Sequence, residues 1–252
     1  LTELSLKFNV FFIYQENTLI LDKKYVSQYS KILLKLKSIY LKRRLQVSVE
    51  IKNVVFDFGG VLFDWNQRYF YRSIFNDDEK MEYFLSNIAT TTWNAQMDKG
   101  RTFDECMKEL ALEHPEFKDE IMLYRKGWDT MLKGEIENGI RLFNAVKKSG
   151  KYKIYGLTNW SAETFHVAFS RFKVLQEFEG IVVSGEEKMI KPEKGIYLTL
   201  LERYNLKPEE TFFTDDNAAN LEMAKSRGIH CIQFLNTEDN LKEIAKFLKI
   251  EL

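Results

Sequence analysis

Four short stretches of the chain place charged or hydroxyl side chains where apolar runs end. The run "NVVFDFGGVLFDW" (53–65) stops on Asp57, and "GLTNWS" ends with Thr158 and Asn159. After "GIVVSG" comes "EEKMIKPEKGIY", with Lys188 and Lys191, and "FFTDDNAAN" ends with Asp215 and Asp216. Each alone has an ordinary explanation: an aspartate that caps a helix or turn, a Thr-Asn pair at a helix start, a solvated loop lysine, two acids favoured by a helix dipole. Together they are the parts of one phosphoryl-transfer site. A carboxylate nucleophile approaches a phosphate only if a cation neutralises both. Oxygen ligands from Asp57, a backbone carbonyl and Asp216, with Asp215 close by, suit Mg²⁺. A lysine adds positive charge, and the Thr158 hydroxyl with nearby backbone N–H groups holds the remaining phosphoryl oxygens. Glycine after the nucleophile permits close approach. Asp57 would then form an aspartyl phosphate that water hydrolyses.

Such residues meet only if the elements beneath them converge. From residue 52, short runs rich in Val, Ile, Phe and Tyr ("KNVVFD", "YKIYGLT", "GIVVSG", "ETFFTDD", "HCIQFL") alternate with helical segments near 137–149, 161–173, 193–205, 217–227 and 237–248. Strands without inside-outside alternation are buried on both faces, and their alternation with helices predicts an α/β fold with a parallel sheet between helices. Between "GGVLFD" and residue 137 only helical patterns are legible. "MEYFLSNI" sets Met81, Phe84, Leu85 and Ile88 on one face, "TFDECMKELA" does the same with Phe103, Cys106, Met107, Leu110 and Ala111, and Thr102 with Glu105 has capping-box spacing. The expected organisation is an α/β core of 51–64 and 137–252 with a helical cap, 65–136, over the C-terminal edge of the sheet, where open parallel sheets bind ligands.

The four motifs in this order resemble those of the haloacid dehalogenase superfamily, from about residue 51 to the C-terminus. The resemblance implies a Rossmann-like three-layer core, an Mg²⁺ site and an aspartate nucleophile. It makes Asp57 the nucleophile, Thr158 the phosphate-binding hydroxyl and Lys191, in its "KP" pair, the lysine in preference to Lys188. Asp57, Thr158 and Lys191 are thus the expected catalytic residues. Phe58, Gly59, Gly60, Thr158, Asn159 and Lys191 are the expected phosphate-binding set, and Asp57, Gly59, Asp215 and Asp216 the metal set. Two chemistries compete in this superfamily. Metal-independent 2-haloacid dehalogenases lack the acidic pair that this chain keeps, which favours a phosphatase. A third reading is a catalytically weak phospholigand-binding module.

Gly59 stands where most phosphatases of this kind have an aspartate that protonates the leaving oxygen. Glycine there, with a comparable "DDNAxN" stretch, resembles a branch related to alpha-glucose-1-phosphate phosphatase. The backbone carbonyl expected to hold metal is retained, whereas the general acid, worth about 10²–10⁴-fold, is not. Small phosphate esters with activated leaving groups are therefore the expected substrates, with the proton left to a cap residue or water. "FDWNQR" and "TTWNAQMDKGR" offer Trp65, Asn66, Arg68, Trp93, Asn94 and Arg101 as specificity residues, with Gln96 and Asp98 near the same turn; aromatic-plus-amide clusters suit sugar-like ligands.

Composition narrows the partners. Thirty-seven basic and 37 acidic residues in 252 give no net charge, so neither nucleic acid nor membrane is the expected partner, and a small phosphorylated metabolite is. Cys106 and Cys231 lack metal or disulfide spacing, His114, His166 and His230 are isolated, and a cytoplasmic monomer or homodimer is expected. Residues 1–50 contain no Gly, Pro or Ala and hold nine Lys/Arg against four Asp/Glu. "YSKILLKLKSIYLKRRL" reads as a basic amphipathic helix, or the whole extension as foreign to the domain, whose start is expected near Val47 or Val49.

Overall fold

A computed structural model describes residues 50–252 and, before them, two short strands, β1 (Ile13–Gln15) and β2 (Thr18–Ile20), paired antiparallel. The expected basic helix and the domain start near Val47 or Val49 lie outside the described residues.

Seven further strands follow: β3 (Asn53–Phe56), β4 (Phe63–Trp65), β5 (Leu132–Glu135), β6 (Lys153–Thr158), β7 (Gly180–Val183), β8 (Thr211–Asp215) and β9 (His230–Gln233). Five form one sheet of order β7-β6-β3-β8-β9, parallel throughout. β3 is central, and Val54, Val55 and Phe56 are fully buried. Val54 and Phe56 share an apolar cluster with Leu142, Phe143 and Val146 of the helix Glu137–Ser149 and with Leu241 and Ile244 of Glu238–Leu248. Val55 joins a second cluster with Tyr197 and Leu200 of Lys194–Arg203 and Leu221 and Ala224 of Ala218–Ser226. The sheet is thus the middle of three layers, and all five expected strands and their helices are present. Each such side chain contributes about 1.5–3 kcal/mol on burial.

Six α-helices run between β4 and β5: Arg68–Tyr71, Asp78–Asn87, Thr91–Asp98, Phe103–Glu113, Lys118–Met122 and Tyr124–Met131. Their starts follow local chemistry. Asp77 caps the Glu79 N–H, Thr90 caps that of Trp93, and Thr102 with Glu105 forms the predicted capping box. Met81, Phe84 and Leu85 are buried on one helix, and Phe103, Cys106, Met107, Leu110 and Ala111 on another, as their spacing predicts. The larger apolar cluster continues from the sheet through Phe58 and Phe63 to Tyr71, Phe84 and Tyr124.

One expectation is corrected. The interval read as purely helical is bounded by an antiparallel ribbon, with Phe63 opposite Glu135 and Asp64 opposite Gly134. The ribbon is short, and "LKGE" buries only its leucine fully, so neither strand carries a readable period. Tertiary pairing makes it, helped by the Ile136 N–H donating to the Leu62 carbonyl at 2.8 Å.

Candidate active site

The C-terminal ends of β3, β6 and β8 and the loop after β7 bring Asp57, Thr158, Lys191, Asp215 and Asp216 together. The Asp57 N–H continues the sheet ladder to the Thr214 carbonyl at 3.0 Å. The chain then winds tightly, with the Phe58 carbonyl accepting from the N–H groups of Val61, Leu62 and Phe63 and the Phe63 carbonyl from that of Gly60. Gly60 has φ +74°, and a Cβ there would stand 2.3 Å from Asp216 Oδ2, so this position needs glycine twice over. Gly59 differs: a Cβ there would meet nothing within 4 Å.

Lys191 is 3% exposed, and its ammonium donates to Asp57 Oδ1 at 2.6 Å, Asp215 Oδ2 at 2.7 Å and the Leu157 carbonyl at 2.9 Å. Three acceptors for three protons satisfy a buried charge that would otherwise be costly. Burial lowers its pKa, but Asp215 and Asp57 more than offset this and the net shift is upward. Asp215 is fully buried and also accepts from the Asn217 N–H at 2.8 Å and from Asn220 Nδ2 at 3.0 Å. Asp216 is exposed. Oxygens of Asp57, Asp215 and Asp216 lie within 4.8 Å of one another. Burial and the neighbouring Asp215 raise the pKa of both Asp57, where Lys191 opposes the shift, and Asp216.

Three carboxylates face one ammonium here, leaving two negative charges in excess. That excess, on hard oxygen donors, fits a divalent cation such as Mg²⁺. The Gly59 carbonyl, which accepts no hydrogen bond among the described residues, is a further oxygen beside them.

Other expected phosphate-binding groups are differently engaged. The Phe58 N–H donates to Asp57 Oδ1 at 2.7 Å, and the Gly60 N–H is taken by Phe63. The Asn159 amide clamps the Lys191 backbone, accepting its N–H at 2.8 Å and donating to its carbonyl at 3.0 Å. Asn159 thus fixes the lysine loop to the end of β6. Thr158 Oγ1 is buried with no partner among the described residues, as is expected of a hydroxyl held for a ligand.

Beside this cluster is a cavity of about 100 Å³. Gly59, Asn159 and Trp160 line it from the sheet side, Trp65 from the ribbon, and Asn94, Asp98 and Trp128 from the inserted helices. The indole N–H groups of Trp65 and Trp160 are buried without acceptors among the described residues. A larger groove of about 490 Å³ lies beside Ser149, Lys151 and Ile250, near where β6 begins, and the carboxylate cluster does not line it.

Of the six expected specificity residues, Trp65 and Asn94 reach this cavity and four do not. Arg68 pairs with Glu82 at 2.6 Å, Asn66 caps the Arg68 N–H at 3.0 Å, Trp93 donates to the Cys106 carbonyl inside the insert, and Arg101 is held by Gln96 and Glu109. Each has a local partner that turns it elsewhere. Trp128 and Trp160 were missed. Trp160 follows Thr158 and Asn159 directly and was available to be read with them, whereas Trp128 lies inside a helical face with no such signal.

A sequence profile described as haloacid dehalogenase-like hydrolase matches residues 51–228. The sesquiterpene phosphatase of Aspergillus oryzae is 27% identical over 198 residues, spanning 77% of this chain and 96% of its own. The D-ribitol-5-phosphate phosphatase of Bacteroides thetaiotaomicron is 22% identical over 79% of this chain and 98% of its own. A haloacid dehalogenase family enzyme from Bacteroides thetaiotaomicron, solved as a magnesium complex, superposes with a TM-score of 0.59 at 26% identity, covering 75% of this chain and 96% of that one. Profile, relatives and fold agree with the site at the strand ends: the chain belongs to the haloacid dehalogenase-like hydrolases.

Proposed function

We propose that this hydrolase is an Mg²⁺-dependent phosphatase of small phosphorylated metabolites that works through an aspartyl phosphate. The observation that carries the reading is the Lys191 ammonium, 2.6 Å from Asp57 and 2.7 Å from Asp215, beside an unpartnered Thr158 hydroxyl. Relatives named as phosphatases support it. Asp57, Asp216 and the Gly59 carbonyl would hold the cation, with Asp215 behind them, and the cation when bound supplies charge neutralisation between carboxylate and phosphate. Asp215, already saturated by Asn217, Asn220 and Lys191, orients the lysine.

Thr158 Oγ1 binds a phosphoryl oxygen, and the Lys191 ammonium, held by Asp57, Asp215 and the Leu157 carbonyl, sets its positive charge beside the phosphoryl group. Asp57 attacks phosphorus, an O–P bond forms, the P–O bond to the leaving group breaks, and the leaving oxygen departs with the electron pair. Water then attacks phosphorus and releases inorganic phosphate with the Asp57 carboxylate restored. In this reading the helices between β4 and β5 are the cap that keeps water from the first step.

The test is an assay of phosphorylated metabolites and of 2-haloacids, with and without Mg²⁺, on wild type and Asp57→Asn. Phosphate release that requires both Mg²⁺ and Asp57 is expected. Halide release without metal would replace this reading with the dehalogenase one. Equal phosphatase activity in wild type and variant would remove Asp57 from the mechanism.

A further inference from the structure

We propose that Asp98, carried on the inserted helices, is the general acid and base of the reaction, supplying from across the cavity what Gly59 lacks. The inference rests on the aspartyl-phosphate reading and adds to it the residue that moves the proton.

Asp98 ends the helix Thr91–Asp98 and lines the same small cavity as Gly59 and Asn159. Its position is set from both sides. Its backbone carbonyl accepts from the Ser184 hydroxyl of the core, and its carboxyl faces the N–H of Ser161, three residues after Thr158. On the insert side, Asn94 Nδ2 donates to Asp98 Oδ2 at 2.9 Å. The Tyr124 hydroxyl donates to Asn94 Oδ1 at 2.8 Å and accepts from Gln67 Nε2 at 2.7 Å, and Gln67 is anchored on the Ala89 carbonyl at 3.0 Å. A chain of four side chains thus ends on one carboxyl at the cavity wall. Such a chain of paired dipoles holds a group rigidly, as proton transfer requires.

No cation neutralises this carboxyl among the described residues. Lys99, next in the chain, pairs with Glu193 at 2.6 Å, and Arg101 pairs with Glu109 at 2.6 Å. From the facing helix the titratable neighbour is the Tyr124 phenol, itself held up in pKa by burial. Burial pushes the Asp98 carboxyl up to about 7, against the hydrogen bonds from Ser161 and Asn94. It is therefore partly protonated at neutral pH and can both give and take a proton there, as a general acid and base must.

In the first step Asp57 Oδ bonds to phosphorus while the P–O bond to the leaving group breaks, and the Asp98 proton passes to the departing oxygen, giving an alcohol and an Asp98 carboxylate. In the second step that carboxylate takes a proton from the attacking water. The Asp57–phosphorus bond breaks, and inorganic phosphate leaves with both side chains restored.

The test is kcat/KM, which reports the phosphorylation step, for an alkyl and an aryl phosphate in Asp98→Asn. Asparagine keeps the size of the side chain and an acceptor for the Ser161 N–H. The alkyl substrate is expected to fall by about 10² or more and the aryl substrate, whose leaving group needs little proton, by less than about tenfold. The fall in alkyl activity above pH 7 disappears in the variant. Because a Cβ at Gly59 meets nothing within 4 Å, Gly59→Asp in the Asp98→Asn background is expected to restore alkyl activity at least tenfold. If Asp98→Asn does not fold, as judged by thermal melting, Asp98→Ser carries the same expectation. An equal loss on both substrates, or no loss on either, would overturn the proposal. Asp57→Asn separates the two claims: inactivity toward both substrates upholds the reading beneath, whereas retained activity removes that reading and this proposal with it.

Discussion

The cavity has two unlike walls. The sheet side is built from charges: Asp57, Lys191 and Asp215 are buried, and the lysine holds both carboxylates within 2.7 Å. The insert side is built from dipoles, an amide, a phenol and a second amide, which end on one uncompensated carboxyl. The sheet positions its groups through backbone ladders, so a side chain there gains or loses mainly electrostatic energy. The insert positions its groups through packing and side-chain hydrogen bonds, so its energies are smaller and its dependence on pH rests on the one carboxyl of Asp98. On the proposed mechanism, charge held by the sheet organises attack and polarity held by the helices tunes proton transfer.

The largest expected break in this contrast is Lys191→Met. It leaves two buried carboxylates facing each other, costs about 3–5 kcal/mol of stability in chemical denaturation and lowers activity by roughly 10³-fold or more. Thr158→Val separates function from stability. Removing an unpartnered hydroxyl is expected to leave the melting temperature equal or higher while kcat drops by about 10², since the hydroxyl serves only a bound phosphoryl group. The insert side is examined by pH. The folded-state pKa of Asp98 lies above its unfolded value, so the native state binds the proton more tightly. Its contribution to stability is therefore complete below about pH 4 and is lost as pH rises through about 7. Urea titrations of wild type and Asp98→Asn without metal between pH 4.5 and 8 should show a smaller loss in the variant, because the raised carboxyls of Asp57 and Asp216 contribute in both proteins and the difference is the Asp98 share.

Smaller effects sharpen the same comparison. Tyr124→Phe removes the middle of the hydrogen-bond chain and is expected to cost about 1–3 kcal/mol, because a buried Gln67 amide N–H loses its acceptor and the half-buried Asn94 carbonyl oxygen its donor. Activity should fall only severalfold, and more for alkyl than for aryl phosphates. Thr102→Ala removes a capping box that does not line the cavity. A loss of about 1 kcal/mol with unchanged kinetics is expected, and altered kinetics would mean that the insert transmits strain to the site.

Much of the sheet side was legible in the sequence because parallel strands confine their chemistry to their ends. "VVFD", "GLTN" and "FFTDD" each put the functional residue one step after a buried run, and the fold then brought them together. Lys191 was separable from Lys188 only by its motif; in the structure Lys191 is buried and Lys188 is exposed. The insert was less legible. Helical spacing found its buried faces and the capping box, yet a polar residue on an amphipathic helix looks the same whether it faces water or a cavity. Arg68 and Arg101 look like ligand-binding residues in sequence, and both have acids within reach on neighbouring turns or helices. Asp98 was noted beside Asn94 but not singled out, because nothing local marks a carboxyl whose partner is a backbone N–H some sixty positions away.

The β4–β5 ribbon has a mechanical consequence. Both connections between the sheet and the inserted helices pass through this one pair of strands, and the Arg171 guanidinium of the core grips the β5 end through the Leu132 carbonyl at 2.9 Å and the Lys133 carbonyl at 3.1 Å. A paired ribbon resists stretching along its length and yields to twisting across it. A swing of the insert would therefore turn about a single line, like a door on one hinge, against the contacts of Asp98, Lys99 and Phe103 with Ser184, Glu193 and Glu163 of the core. Such a swing would have to open the hydrogen bonds that tie Asp98 to Ser184 and Ser161 of the core, while the lysine and carboxylates at the strand ends, which lie outside the insert, would stay in place.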